Sequence, residues 1–108
     1  MKLLFIFTGG TIGSTQSGDF ISVDGNKSYL IVDAYRKRYD IDFEYDVFEP
    51  YTELSEYNGG WHIRSLVSCI KQNASKGYDG IIVAHGSDTL QYSAAAIGYC
   101  LGKSSLPI

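Results

Sequence analysis

The sequence predicts an α/β protein of three layers, with helices on both faces of a mainly parallel sheet. Short apolar runs alternate with amphipathic helical patterns, the turns between most of them are short, and polar glycine-containing segments follow two of the runs. Leu3 to Phe7 is a continuous apolar run closed by glycines, as expected of a strand buried on both faces. Thr8 to about Lys27 has no sustained period and reads as a long loop, which in a compact domain is usually functional. From Ser28, a candidate cap, apolar Leu30, Ile31, Ala34 and Tyr35 take helical spacing, with Asp33, Arg36 and Lys37 on the other side. The cations stand where they favour a helix C-terminus.

Phe43, Tyr45 and Val47 alternate with Glu44, Asp46 and Phe48, which predicts a strand near a sheet edge, closed by Pro50. Thr52 to Gly60 is polar and leads into a second helix. Its stripe is Ile63, Leu66, Val67, Ile70 and Ala74, expected to be buried on a sheet, with Lys76-Gly77 as the stop. Gly80 to Ala84 is another buried strand, ended by His85-Gly86-Ser87-Asp88-Thr89. Leu90, Ala94, Ile97 and Leu101 then give a third helix ended by Gly102, and Leu106-Pro107-Ile108 reads as the start of a fourth strand. No repeat, linker or low-complexity tract interrupts the pattern.

One domain accounts for 108 residues, and 44% hydrophobic against 19% charged residues is globular composition. Nine Lys and Arg against twelve Asp and Glu leave a net charge of −3, which gives no reason to seek nucleic acid or anionic lipid. Cys69 and Cys100 do not make a disulfide scaffold. The apolar run of Leu3 to Phe7 is too short for a signal core or a membrane span, so a cytoplasmic protein is expected. No His, Cys and carboxylate set has zinc-site spacing, and neither a cofactor nor a metal is expected.

In a parallel sheet, ligands bind beyond the carboxyl ends of the strands, where strand order reverses. Two polar segments fall at such ends, Thr8 to Gly13 and His85 to Thr89, and they meet if the first and third strands are neighbours. Thr8-Gly9-Gly10-Thr11-Ile12-Gly13 offers backbone amides to a ligand and hydroxyls beside them, which suits nucleophilic attack with oxyanion stabilisation. It lacks the Gly-Lys-Ser/Thr of a phosphate loop and the spacing of a dinucleotide fingerprint. On composition alone, a tight turn is the commoner meaning of such a loop. In the second segment, Ser87 or Asp88 is a candidate cap for the helix starting near Leu90, and a helix N-terminus also favours carboxylates and oxyanions. His85 is more often structural than a general base, and His62 is expected to be solvated or packed.

Thr-Gly-Gly-Thr-Ile followed downstream by His-Gly-Ser-Asp-Thr-Leu closely resembles the bacterial-type L-asparaginase family, with Ser87 in place of a usual threonine. Leu54-Ser55-Glu56, before a helix that begins near Trp61, resembles the family's short substrate-binding segment. The resemblance covers an N-terminal portion. It implies an incomplete N-terminal α/β domain over 1–108, a C-terminal domain elsewhere, and a homo-oligomeric full-length protein. It implies hydrolysis of a side-chain amide, asparagine to aspartate and ammonia, without a cofactor. Thr11 would be the nucleophile. Ser87 with Asp88 would act near the leaving amine, a pair normally activated by a lysine. Asp88 would hold the substrate ammonium with help from Glu56; Ser55 and backbone amides, Gly10 among them, would hold its carboxylate. The loop after Gly13 would be a lid.

Two departures accompany the likeness. Phe20 stands where the family's lid has a tyrosine, with Tyr29 a possible stand-in, and the family's catalytic lysine lies downstream of Ile108. The 108 residues alone are therefore expected to be inactive. A non-catalytic amino-acid-binding or regulatory module is the alternative; a receiver-like or mononucleotide-binding domain ranks last, because no acidic cluster follows the first strand.

Overall fold

The computed structural model describes residues 1–9, 14–17, 20–23 and 28–108. In chain order it contains β1 (Lys2–Phe7), β2 (Ser14–Ser17), β3 (Phe20–Val23), α1 (Ser28–Tyr39), β4 (Glu44–Phe48), α2 (Gly60–Asn73), β5 (Gly80–Ala84) and α3 (Leu90–Leu101). A single 3-10 turn, Ser55–Tyr57, precedes α2.

β1 is the centre of a three-stranded parallel sheet, in the order β4-β1-β5. Leu3 pairs with Tyr45 on one side and Gly80 on the other, and Phe7 pairs with Ala84. The chain passes to one side of β1 to make β4 and returns to the other to make β5. Strand order therefore reverses between β1 and β5, whose carboxyl ends carry the two polar segments. The sheet edge predicted for Phe43 to Phe48 is the position of β4, with Phe43 just ahead of it.

The pleat of β1 divides the core. Leu4 and Ile6 face α2 and α3 and pack with Leu66, Ile70, Ile81 and Tyr78; Phe7 packs on the other face with Val32 and Phe43. Of the stripe expected on α2, Leu66, Val67 and Ile70 are buried and Ile63 is half-buried. At the amino ends of the strands, Lys2 Nζ lies 2.9 Å from Asp46, and the Tyr78 hydroxyl donates to the same carboxylate at 2.7 Å. The Lys2 ammonium and then the Tyr78 hydroxyl hold the Asp46 carboxyl below its usual pKa.

Four expectations need correction. The stretch read as one loop from Thr8 to Lys27 contains an antiparallel hairpin, with Ser14 opposite Val23 and Ser17 opposite Phe20. Its signal was present: Gly18-Asp19 is a two-residue hairpin turn composition between short runs. Among the described side chains of α1 Val32 is buried, while Ile31 and Tyr35 are about half exposed, at 48% and 50%. Those two and Ile82 line an open apolar groove of about 480 Å³ on that face of the sheet. On α3, Ser93 is buried while Leu90 is exposed; Ile97 and Leu101 reach the core as expected. Leu106-Pro107-Ile108 is not a strand, although the Ile81 amide donates to the Pro107 carbonyl at 2.9 Å alongside β5.

Candidate active site at the carboxyl ends of β1 and β5

The chain from Glu53 to Asn58 forms a strap across the carboxyl ends of β1 and β5 and joins the two polar segments. Its first attachment is to β1. The Glu53 amide donates to the Thr8 carbonyl at 3.2 Å, and Gly9 and Glu53 form an isolated parallel bridge. Gly9 takes φ +95°, and a Cβ there would come within 2.3 Å of the Glu53 carbonyl oxygen. Both facts require glycine, the residue without a side chain to strain or collide. Thr8 is itself buried, its hydroxyl donating to the Ala84 carbonyl at 3.0 Å, which locks the end of β1 to that of β5.

The second attachment is to the segment after β5. The Ser55 hydroxyl donates to Asp88 at 3.1 Å, and the Thr89 hydroxyl donates to the Ser55 carbonyl at 2.9 Å. Ser55 is buried on Gly86, where a Cβ would lie 2.5 Å from the Ser55 hydroxyl oxygen and 2.7 Å from its Cβ. Further along, His85 Nε2 lies 2.9 Å from the Ser93 hydroxyl and 3.3 Å from the Asn58 amide nitrogen, and Nδ1 lies 2.7 Å from the Gly86 carbonyl. A carbonyl only accepts, so Nδ1 carries the proton and Nε2 accepts; both nitrogens are committed to holding loops together. His62 is packed. Its Nδ1 accepts from the Gly59 amide at 3.0 Å, its Nε2 faces Glu53 at 3.6 Å, and its ring meets Tyr51 edge-on.

Of the residues singled out from sequence, Ser55 and Asp88 are in direct contact, and Glu56, Ser87 and Asp88 are exposed at the same end of the sheet. Gly10 and Thr11 lie outside the described residues. The capping expectation for Ser87 or Asp88 is corrected: the N-cap of α3 is Thr89, and it makes no side-chain cap bond. Its hydroxyl and the Asp88 carboxylate are used on Ser55 instead. Sequence reasoning also missed Glu53, Gly86 and Thr89 as parts of the site. Their signal was their place, within or beside the polar segments, but the contact that gives them meaning spans 34 residues from Ser55 to Thr89. Among the described residues no three His, Cys, Asp or Glu side chains cluster as metal ligands, and no helix is long and apolar enough to cross a membrane.

Chemically, the strap and the segment after β5 together present a hydroxyl and a carboxylate in contact, on Ser55 and Asp88, with the Glu56 carboxylate and the Ser87 hydroxyl next to them in sequence. Oxygen acceptors of this kind suit an ammonium group.

The chain is 32% identical, over 99% of its length, to a glutamyl-tRNA(Gln) amidotransferase subunit of Nanoarchaeum equitans, of which the match covers 26%. It is 27% identical, over 94% of its length, to L-asparaginase 1 of Escherichia coli, covering 30% of that protein. The crystal structure of L-asparaginase I from Vibrio cholerae superposes on 91% of the chain with a TM-score of 0.74 at 26% identity, over 29% of that structure. The chain thus spans between a quarter and a third of the length of these relatives. The model of the asparaginase N-terminal domain matches residues 2–108, and the chain belongs to the asparaginase family.

Proposed function

We propose that this domain supplies the nucleophile and the amino-acid-binding groups of an amidohydrolase that converts asparagine to aspartate and ammonia. The observation that carries this reading is the Ser55–Asp88 hydrogen bond at 3.1 Å, made where strand order reverses. A free amino acid answers both partners. Its ammonium replaces the Ser55 proton on Asp88, and the freed hydroxyl donates to its carboxylate. Glu56 adds a second acceptor for the ammonium, and the Gly10 amide a further donor to the carboxylate. The side-chain amide then extends toward the β1 loop. There the Thr11 hydroxyl attacks the amide carbon, the C–N bond breaks, and ammonia leaves with the proton that Thr11 gave up. Ser87 and Asp88 stand near that leaving amine, where a lysine from elsewhere in the protein activates the pair. Water then cleaves the aspartyl ester and restores Thr11.

The 32% identity to an amidotransferase subunit over nearly the whole chain favours a second reading, in which the same hydrolysis feeds ammonia to a partner protein. Ammonia release measured on the full-length protein with asparagine and with glutamine tests both. Free release from asparagine, abolished by Thr11→Ala while aspartate still binds, is the expected result. Release that requires a partner supports the second reading. Aspartate binding with no release under either condition means a non-catalytic amino-acid-binding module.

A further inference from the structure

We infer that Thr89 is a positioning residue that sets how the amino acid is held, and through that which amide reaches the nucleophile. The inference rests on the proposed reading of Ser55 and Asp88 as the groups that hold the substrate. A threonine at a helix N-cap ordinarily turns its oxygen to the first amides of its own helix. Thr89 makes no such bond; its carbonyl accepts from the backbone amides of Tyr92 and Ser93 while its hydroxyl is left free of the helix. Its hydroxyl reaches across to the Ser55 carbonyl at 2.9 Å. With Asp88 on the Ser55 hydroxyl, two consecutive residues grip Ser55 by its side chain and by its backbone.

The two grips are not equivalent during binding. Substrate displaces the Ser55–Asp88 bond, because its ammonium takes the carboxylate and its own carboxylate takes the hydroxyl. The Thr89 bond touches only the Ser55 backbone, so it persists. Once substrate is bound, it is the remaining hydrogen bond tying Ser55 to the α3 side of the site. The strap is pinned at its other end through Glu53 to Thr8 and Gly9, immediately before the β1 loop. Ser55 is therefore held at a fixed reach from the end of β1 as long as both pins hold. Asparagine and glutamine differ by one methylene, a difference that a binding site discriminates by roughly 10–200-fold, and a fixed reach contributes to that discrimination. Without the Thr89 bond the Ser55 backbone has only the neighbouring Asn58–His85 contact to fix it on the α3 side, and the looser hold accommodates the longer side chain.

The test is Thr89→Val in the full-length protein, which keeps the shape and removes the hydroxyl, with Thr89→Ser as the conservative variant. Thr89→Val is expected to raise KM for asparagine and Kd for aspartate about tenfold, the upper range for one hydrogen bond. It leaves kcat within about threefold, as loss of uniform binding does. The preference for asparagine over glutamine falls, and Thr89→Ser restores all three. If Thr89→Val does not fold, Thr89→Ala gives the same comparison without a β-branched side chain. An active wild type whose KM, Kd and amide preference are unmoved by losing this hydroxyl overturns the role of Thr89. A drop in kcat alone, or a failure of serine to rescue, overturns it too. A wild type that neither binds aspartate nor releases ammonia overturns the underlying reading of the site, and the role of Thr89 with it.

Discussion

Gly86→Ala isolates the contact that seats the strap on the end of β5. The glycine has no unusual backbone angle, so the added methyl acts through space alone. It would meet the Ser55 hydroxyl oxygen at 2.5 Å and the Ser55 Cβ at 2.7 Å, whereas the Ser55 amide nitrogen at 3.5 Å is an ordinary contact. The obstruction is thus two side-chain atoms of one residue. Overpacking of this kind costs about 1–3 kcal/mol. Relief by moving Ser55 breaks its bonds to Asp88 and Thr89, so the upper half of that range is expected. Ser55→Gly deletes both obstructing atoms, so in that background Gly86→Ala should cost almost nothing. Urea unfolding of the wild type, both single variants and the double variant gives the coupling directly. A coupling of about 2–3 kcal/mol is expected, with the slope of the unfolding transition unchanged. Equal destabilisation by Gly86→Ala in both backgrounds would refute the packing argument.

Three other outcomes follow from the same geometry. Gly9→Ala puts a methyl 2.3 Å from the Glu53 carbonyl and forces alanine to φ +95°; backbone strain adds to backbone collision, so the loss, about 2–4 kcal/mol by urea unfolding, exceeds that of Gly86→Ala. Asp46 has its carboxyl pKa lowered in the folded state by Lys2 and Tyr78, so its contribution to stability is present above the unfolded carboxylate value and is lost as pH falls through the folded one. Asp46→Asn should accordingly flatten the acid limb of stability against pH, below about pH 4, in melting experiments. Purified residues 1–108 should release ammonia from asparagine at least about 10²–10⁴-fold more slowly than the full-length protein, because general acid–base assistance of that size is expected from a lysine outside them; comparable turnover would mean that Thr11 is activated from within these residues.

What was legible in the sequence was local. Continuous apolar runs gave β1 and β5, alternation from Phe43 gave an edge strand, and the spacing of Leu66, Val67 and Ile70 gave the buried face of α2. The adjacency of β1 and β5, from whose carboxyl ends both polar segments start, also follows, since βαβ crossovers are a general rule. Helical period on its own was a weaker guide. α1 covers only part of the second face of the sheet, so Ile31 and Tyr35 stay half exposed while Val32 is buried. On α3 a serine, Ser93, takes a core position because His85 gives its hydroxyl a partner. Capping rules failed at Asp88 and Thr89 for a related reason: a partner distant in sequence, Ser55, competes for the side chains that a local rule assigns to the helix. Short-range pattern does not carry such long-range hydrogen bonds, and they assemble the site.

The most direct measurement of the central proposal is mass spectrometry of the full-length protein after reaction with a reactive asparagine analogue that traps the acyl intermediate. A single adduct on the peptide containing Thr11, absent in Thr11→Ala and suppressed by excess aspartate, is the predicted result. An adduct on Ser87, or labelling that persists in Thr11→Ala, would contradict it.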